Sequence, residues 1–128
     1  MTRALARLAL LVAEYDAAIA WFRDRLGFRL IEDTPLGGVK RWVRMASEGG
    51  AELLLARADG PEQEAMIGRQ GGGRVFLFLE TDDFARDHAR MISSGVRFRE
   101  APRFELYGTV AVFEDCCGNL WDLIEPRR

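Results

Sequence analysis

Histidine and cysteine are nearly missing from this sequence. Among 128 residues there is one histidine, His88, and there are two cysteines, Cys116 and Cys117, adjacent in the chain. A single imidazole excludes any metal centre that needs two or three histidines from one chain. Neighbouring cysteines rarely bridge, because a bond between them strains the peptide that joins them. No disulfide framework is expected, and a reducing cytoplasm is the expected compartment. Lacking a spaced cysteine pair or a nearby histidine, the thiols do not make a zinc site.

Long apolar runs are missing too. Runs such as Leu8 to Val12 are far too short to cross a bilayer, so no membrane partner is expected. That segment runs directly into acidic residues without a small-residue cleavage site and reads as a first strand, not a signal peptide. No block of like charge occurs, and 18 basic against 20 acidic residues leave a net charge of -2. Such a balance has no electrostatic footprint for a phosphate backbone, so nucleic acid is not an expected partner. The GxSxG, GxxxxGK[ST] and strand-linked GxGxxG signatures are absent. Gly71-Gly72-Gly73 lacks the helix and lysine of a phosphate-binding loop and reads as part of a linker.

What is present is a repeat. Hydrophobic residues make up 48% and charged residues 30%, ordinary values for a globular chain of this length. LALLV (8–12) is followed by Glu14-Tyr15-Asp16, a helical stretch, Gly27 and the strand FRLIE. VFLFL (75–79) is followed by Thr81-Asp82-Asp83, a helical stretch, Gly95 and the strand VRFRE. Asp16, and Asp82 or Asp83, stand where a carboxylate can cap a helix N-terminus. Ile19, Phe22 and Leu26 form one helical stripe, and Phe84, His88 and Met91 another. The two glycines are placed to end the helices in a left-handed conformation. Each half then offers two more strands: KRWVRMA (40–46) and AELLLAR (51–57), then GTVAVFED (108–115) and NLWDLIE (119–125). In KRWVRMA, Trp42 and Arg44 face opposite to Val43 and Met45.

The predicted fold is therefore α+β, one domain over 1–128 built of two βαβββ modules at about 5–58 and 74–127. The stretch 59–73, with a proline and five glycines, is read as the linker. A module of this size cannot easily bury its sheet alone, so two curved sheets enclosing a ligand cleft are expected.

This arrangement resembles the glyoxalase/bleomycin resistance/dioxygenase superfamily, the vicinal oxygen chelate family. LLVAEYDAAIAWFRDRLGFRLIED looks like the family's opening strand and helix with its "lGF" turn. VFLFLETDDFARDHARM looks like the start of the second half, and FEDCCGNLWDLIEP is similar to the closing "DPdGN" strand. The resemblance implies that metal-using members hold a divalent cation on equivalent strands of the two halves. At the first-ligand positions this sequence carries Arg7 and Phe76, and neither side chain can offer a lone pair to a metal. The carboxylate positions are kept as Glu52 and Asp122, weak candidates for a hard cation such as magnesium or manganese. No cofactor is expected, and a guanidinium–carboxylate pair of Arg7 with Glu52 or Asp122 is expected in the metal's place.

Phe104, Tyr107 and Trp42 join these residues as candidate cleft-lining side chains. Trp121 neighbours Asp122 and is expected on the opposite sheet face. His88 reads as a packing residue of its helix, Cys117 as an unactivated turn thiol, and Glu80 as a helix-capping strand end. Two functions follow from the resemblance. The preferred one is a small-molecule-binding, glyoxalase-like protein, as in bleomycin resistance, without the histidine metal site and forming a homodimer. The alternative is a metal-dependent enzyme acting on vicinal oxygens, with a lyase or isomerase favoured over a ring-cleaving dioxygenase.

Overall fold

A computed structural model describes residues 2–128. The chain divides into two units, 1–67 and 68–128.

In the first unit, β1 (Arg7–Val12) leads into α1 (Tyr15–Leu26), β2 (Arg29–Gly37), β3 (Lys40–Ala46), β4 (Glu52–Arg57) and α2 (Gly60–Met66). The strands form one open sheet in the order β1-β4-β3-β2, in which β1 and β4 run parallel and the other pairs antiparallel. Alternation assigns the faces. Leu10, Val12, Val43, Met45, Leu53 and Leu55 are buried with Ile19 and Phe22 of α1, which packs on this side. Gly27 ends α1 in the left-handed region at φ 71°. Its N–H donates to the Arg23 carbonyl at 3.1 Å, and that of Phe28 donates to the Phe22 carbonyl at 3.0 Å. The reversal returns Phe28 onto Phe22, with ring centroids 5.6 Å apart.

Two expectations are corrected here. Glu14, not Asp16, occupies the N-cap of α1, and its side chain makes no capping bond. Buried Tyr15 starts the helix two residues earlier than an Asp16 cap would, leaving Asp16 in the first turn, where it still meets the positive helix end. The stretch read as a linker or loop contains a helix, α2. Pro61 near its N-terminus and the run Glu62 to Met66 favour a helix, and glycine density on either side obscured them.

The second unit contains β5 (Val75–Glu80), α3 (Phe84–Ser93), β6 (Arg97–Phe98), β7 (Arg103–Glu105), β8 (Gly108–Glu114) and β9 (Leu120–Pro126). Its sheet has the order β5-β9-β8-β6, with β7 also paired to β8, and β5 and β9 run parallel. Asp83 caps α3 as expected, accepting the Arg86 backbone N–H at 3.1 Å. Gly95 follows the helix at φ 94°. Phe84, Met91, Val110, Phe113, Trp121 and Val96 are buried, and Trp121 stacks on Phe113 at 5.6 Å. His88 lies between Phe84 and Phe98, at 5.2 and 4.5 Å between ring centroids, and so packs within the unit.

Of the strand expected at VRFRE (96–100) only Arg97–Phe98 forms, as β6, and a further short strand, β7, follows at Arg103–Glu105. Glu100 turns its carboxylate to accept the Val112 N–H at 3.0 Å, replacing a backbone carbonyl in the ladder. Pro102 has no N–H to give, and pairing resumes only at Arg103. The second half therefore holds five strands, not four.

Candidate functional site

The face of the first sheet opposite α1 is built from the other half of each alternation. Arg7 pairs with Glu52 across β1 and β4, while Trp42 and Arg44 lie on β3. Glu32 stands opposite Arg44 on β2. These side chains form one connected network. Arg44 grips Glu52 with two bonds, Nε to Oε1 at 2.7 Å and Nη2 to Oε2 at 2.8 Å. Arg7 Nε adds a third, to Oε1 at 3.3 Å. The Nη1 of Arg44 reaches Glu32 Oε1 at 2.9 Å, and Thr34 donates its hydroxyl to the other Glu32 oxygen at 3.0 Å. The Arg7 guanidinium carbon is 5.9 Å from the centre of the Trp42 ring, within cation–π range.

Opposite charges alternate along this chain of groups. The hydrogen bonds from Arg44, reinforced by Arg7, hold the Glu52 carboxyl well below its ordinary value, at about 2. Glu32 is lowered in the same way by Arg44 and Thr34. Of the two carboxylates weighed for Arg7, Glu52 is its partner. Arg44, not Arg7, is the principal cation of the site, and the sequence had placed Arg44 only on the same face as Trp42. Glu32 was harder to find, because a register shift between Leu30 and Glu32 breaks the alternation of β2.

The second unit's sheet carries Asp122 on the face opposite Trp121. In register beside it are Phe78 of β5 and Val112 of β8. Asp122 is only 7% exposed, its Oδ1 has no hydrogen-bond partner among the described residues, and its neighbour Phe78 is 63% exposed. Burial pushes the carboxyl above its ordinary value, against a lowering by Arg103 and alongside a further rise from Glu100. Phe104 and Tyr107, at 82% and 54% exposed, lie around the β7–β8 turn. Phe76 falls at the register shift between Val75 and Leu77 and lines a separate cavity of its own unit.

A divalent cation does not fit the first-unit residues. Both Glu52 oxygens are taken by guanidinium N–H groups, and Arg7 puts a permanent positive charge where a donor atom would be needed. Asp122 has an unused oxygen, but its sheet neighbours Phe78 and Val112 supply no second ligand. Among the described residues one group, Asp115 with Cys116 and Cys117, lies close enough to share an ion. Asp115 is already committed. It accepts the backbone N–H groups of Cys117 and Asn119, the Asn119 side-chain amide and the Trp121 indole, all at 2.9 to 3.0 Å. The turn thiols lie 3.4 Å apart, and the hydrogen bond between them raises Cys116 above its ordinary value.

The chain is 52% identical over 128 residues to an uncharacterized protein of Shewanella frigidimarina (strain NCIMB 400), covering 98% of this chain and 95% of that one. Among solved structures it is similar to UcmS2, with a TM-score of 0.83 and 26% identity over 98% of this chain and 99% of that one. It is also similar to TnmS3, an antibiotic binding protein from Streptomyces sp. CB03234. There the TM-score is 0.79 and the identity 28%, over 98% of each chain. The sequence pattern of one family matches residues 4–123. With two units that each open on a βαβ stretch, the open mixed sheets and that match, the chain belongs to the Glyoxalase/Bleomycin resistance protein/Dioxygenase superfamily.

Proposed function

We propose that this protein binds a small, planar organic molecule without the help of a metal. The observation that carries the reading is the engagement of Glu52 by Arg7 and Arg44, with Trp42 alongside. A tethered guanidinium takes the role of fixed cation on that sheet face, and the Trp42 ring provides a stacking surface. Outward N–H groups of the arginines and the rim carboxylate of Glu32 orient polar edges of the guest. On the second unit, Asp122 with its unpartnered oxygen and the exposed Phe78 repeat the same combination of one polar group beside one aromatic ring. The similarity to TnmS3 supports a guest of antibiotic type. Assembly as a homodimer and residence in a reducing cytoplasm belong to the same reading. The former is supported by the exposed Phe104, Leu106 and Tyr107, the latter by cysteines that are few and adjacent, poorly placed to bridge.

The test is a thermal-shift and calorimetric screen of planar aromatic compounds, run with and without a chelator. The expected result is a stabilising compound whose effect survives the chelator and is lost in Trp42→Ala. A shift that requires a divalent ion, or one tightly held metal per chain in elemental analysis, overturns the reading in favour of a metal-dependent enzyme. Light scattering checks the dimer.

A further inference from the structure

Where β5 begins, the second unit encloses a cavity of about 250 Å³ that the sheet-face reading does not use. Apolar Phe76 and Leu120 line it, and so do three arginines, Arg69, Arg74 and Arg99. No aspartate or glutamate lines it. Arg69 and Arg74 have no carboxylate partner among the described residues, and Arg99 has only Glu114, at 3.5 Å. Five arginines elsewhere, Arg7, Arg41, Arg44, Arg86 and Arg103, hold carboxylates at 3.3 Å or less. Three guanidinia line one hollow, and two of them have no carboxylate partner among the described residues.

The lining is built, not loose. The Gly72 N–H donates to the Arg69 carbonyl at 3.0 Å and the Arg74 N–H to the Gly71 carbonyl at 3.2 Å, so consecutive turns carry the two arginines. At Gly68, with φ +75°, a Cβ would overlap the Cys117 carbonyl oxygen of the β8–β9 turn. At Gly71 it would come within 3.0 Å of Phe76. The glycine loop is pressed against the strands it borders, and that contact fixes where the guanidinia stand.

We propose that this cavity is an anion site that takes a phosphate-type dianion, held by Arg69, Arg74 and Arg99, with an organic stem against Phe76 and Leu120. Guanidinium forks match tetrahedral oxyanions with paired N–H bonds, and a hollow without carboxylates attracts rather than repels them. The site needs no phosphate-binding loop, since side chains replace backbone N–H groups as donors. The ligand chemistry is shared by free phosphate and by a phosphomonoester, and the apolar lining favours the second.

Titration calorimetry at fixed ionic strength distinguishes them, using inorganic phosphate, phenyl phosphate and acetate with the full chain. The expected order of affinity is phenyl phosphate, then phosphate, then acetate. Phosphate binding as tight as phenyl phosphate would remove the stem but keep the anion site. Arg69→Gln and Arg74→Gln should each weaken the phosphate compounds by about tenfold or more. Both residues are exposed, so the variants should keep the wild-type thermal midpoint. Arg97→Gln, on β6 outside the cavity, should leave affinity unchanged. Wild-type binding of phosphate and phenyl phosphate no tighter than acetate overturns the proposal. So does equal loss in Arg97→Gln, which would mean general charge attraction. Neither result bears on the sheet face of the first unit.

Discussion

Replacing Asp115 with alanine should cost more than any other single polar substitution in this chain. Its carboxylate is 6% exposed and receives four N–H groups. The Cys117 N–H lies in a part-buried turn and can be rehydrated, but the Asn119 backbone, the Asn119 amide and the Trp121 indole are buried. Each buried donor left without an acceptor costs about 1–3 kcal/mol, and losses that share one acceptor do not simply add. Three such donors set a floor of about 3 kcal/mol, and breaking a buried charged network sets a ceiling of about 5 kcal/mol. For a chain of this length that amounts to a fall of about 10–20 °C in the thermal midpoint. Urea unfolding followed by tryptophan fluorescence is the assay, since Trp121 is itself one of the donors. The urea midpoint should fall with little change in slope. Asp115→Asn, which keeps one acceptor oxygen, should fall between wild type and Asp115→Ala. A loss below about 1 kcal/mol in Asp115→Ala would refute the assignment of this carboxylate as the organiser of the β8–β9 turn.

The two sheet-face carboxylates should respond to pH in opposite senses. Glu52 is lowered in the folded chain from 4.5 to about 2, so its stabilisation is complete above pH 4.5 and is lost as pH falls toward 2. Glu52→Gln should therefore flatten that acid limb in thermal melts. Asp122 is raised by burial, so the folded state is favoured while it is protonated, and stability is lost as pH rises from 3.8 through its folded value. Asp122→Asn should raise the midpoint at neutral pH, with the gain fading below pH 3.8; destabilisation at neutral pH would contradict this. Gly68→Ala combines a left-handed backbone with overlap on the Cys117 carbonyl, and should cost about 2 kcal/mol or more in urea unfolding.

Much of this fold was legible because its signals are local and periodic. Alternation in Trp42 to Met45 assigned both faces of β3, and the glycines after α1 and α3 marked their ends. What stayed hidden depended on partners far along the chain. The ion pair of Arg44 with Glu52 requires β3 and β4 to lie side by side, and no spacing rule distinguishes Arg44 from the many other arginines. Glu32 escaped because a bulge shifts the face of β2 partway along its length. The division of β6 from β7 depends on the Glu100 carboxylate entering the ladder at Val112, a contact without a sequence signature. The short helix α2 was hidden by composition: Gly60 at its start and the glycines from Gly68 onward outweighed the helix formers between them.

In each unit the first strand pairs in parallel with the last, β1 with β4 and β5 with β9. During synthesis, β1 emerges with its edge exposed and has no partner until Glu52–Arg57 has been made. Such long-range closures slow folding and leave an apolar edge open to other chains in the interval. The delay is bounded, because Arg57 precedes Val75 in the chain. Translation thus supplies every side chain of the Arg7–Glu52–Arg44–Glu32 face before the first strand of the second unit exists.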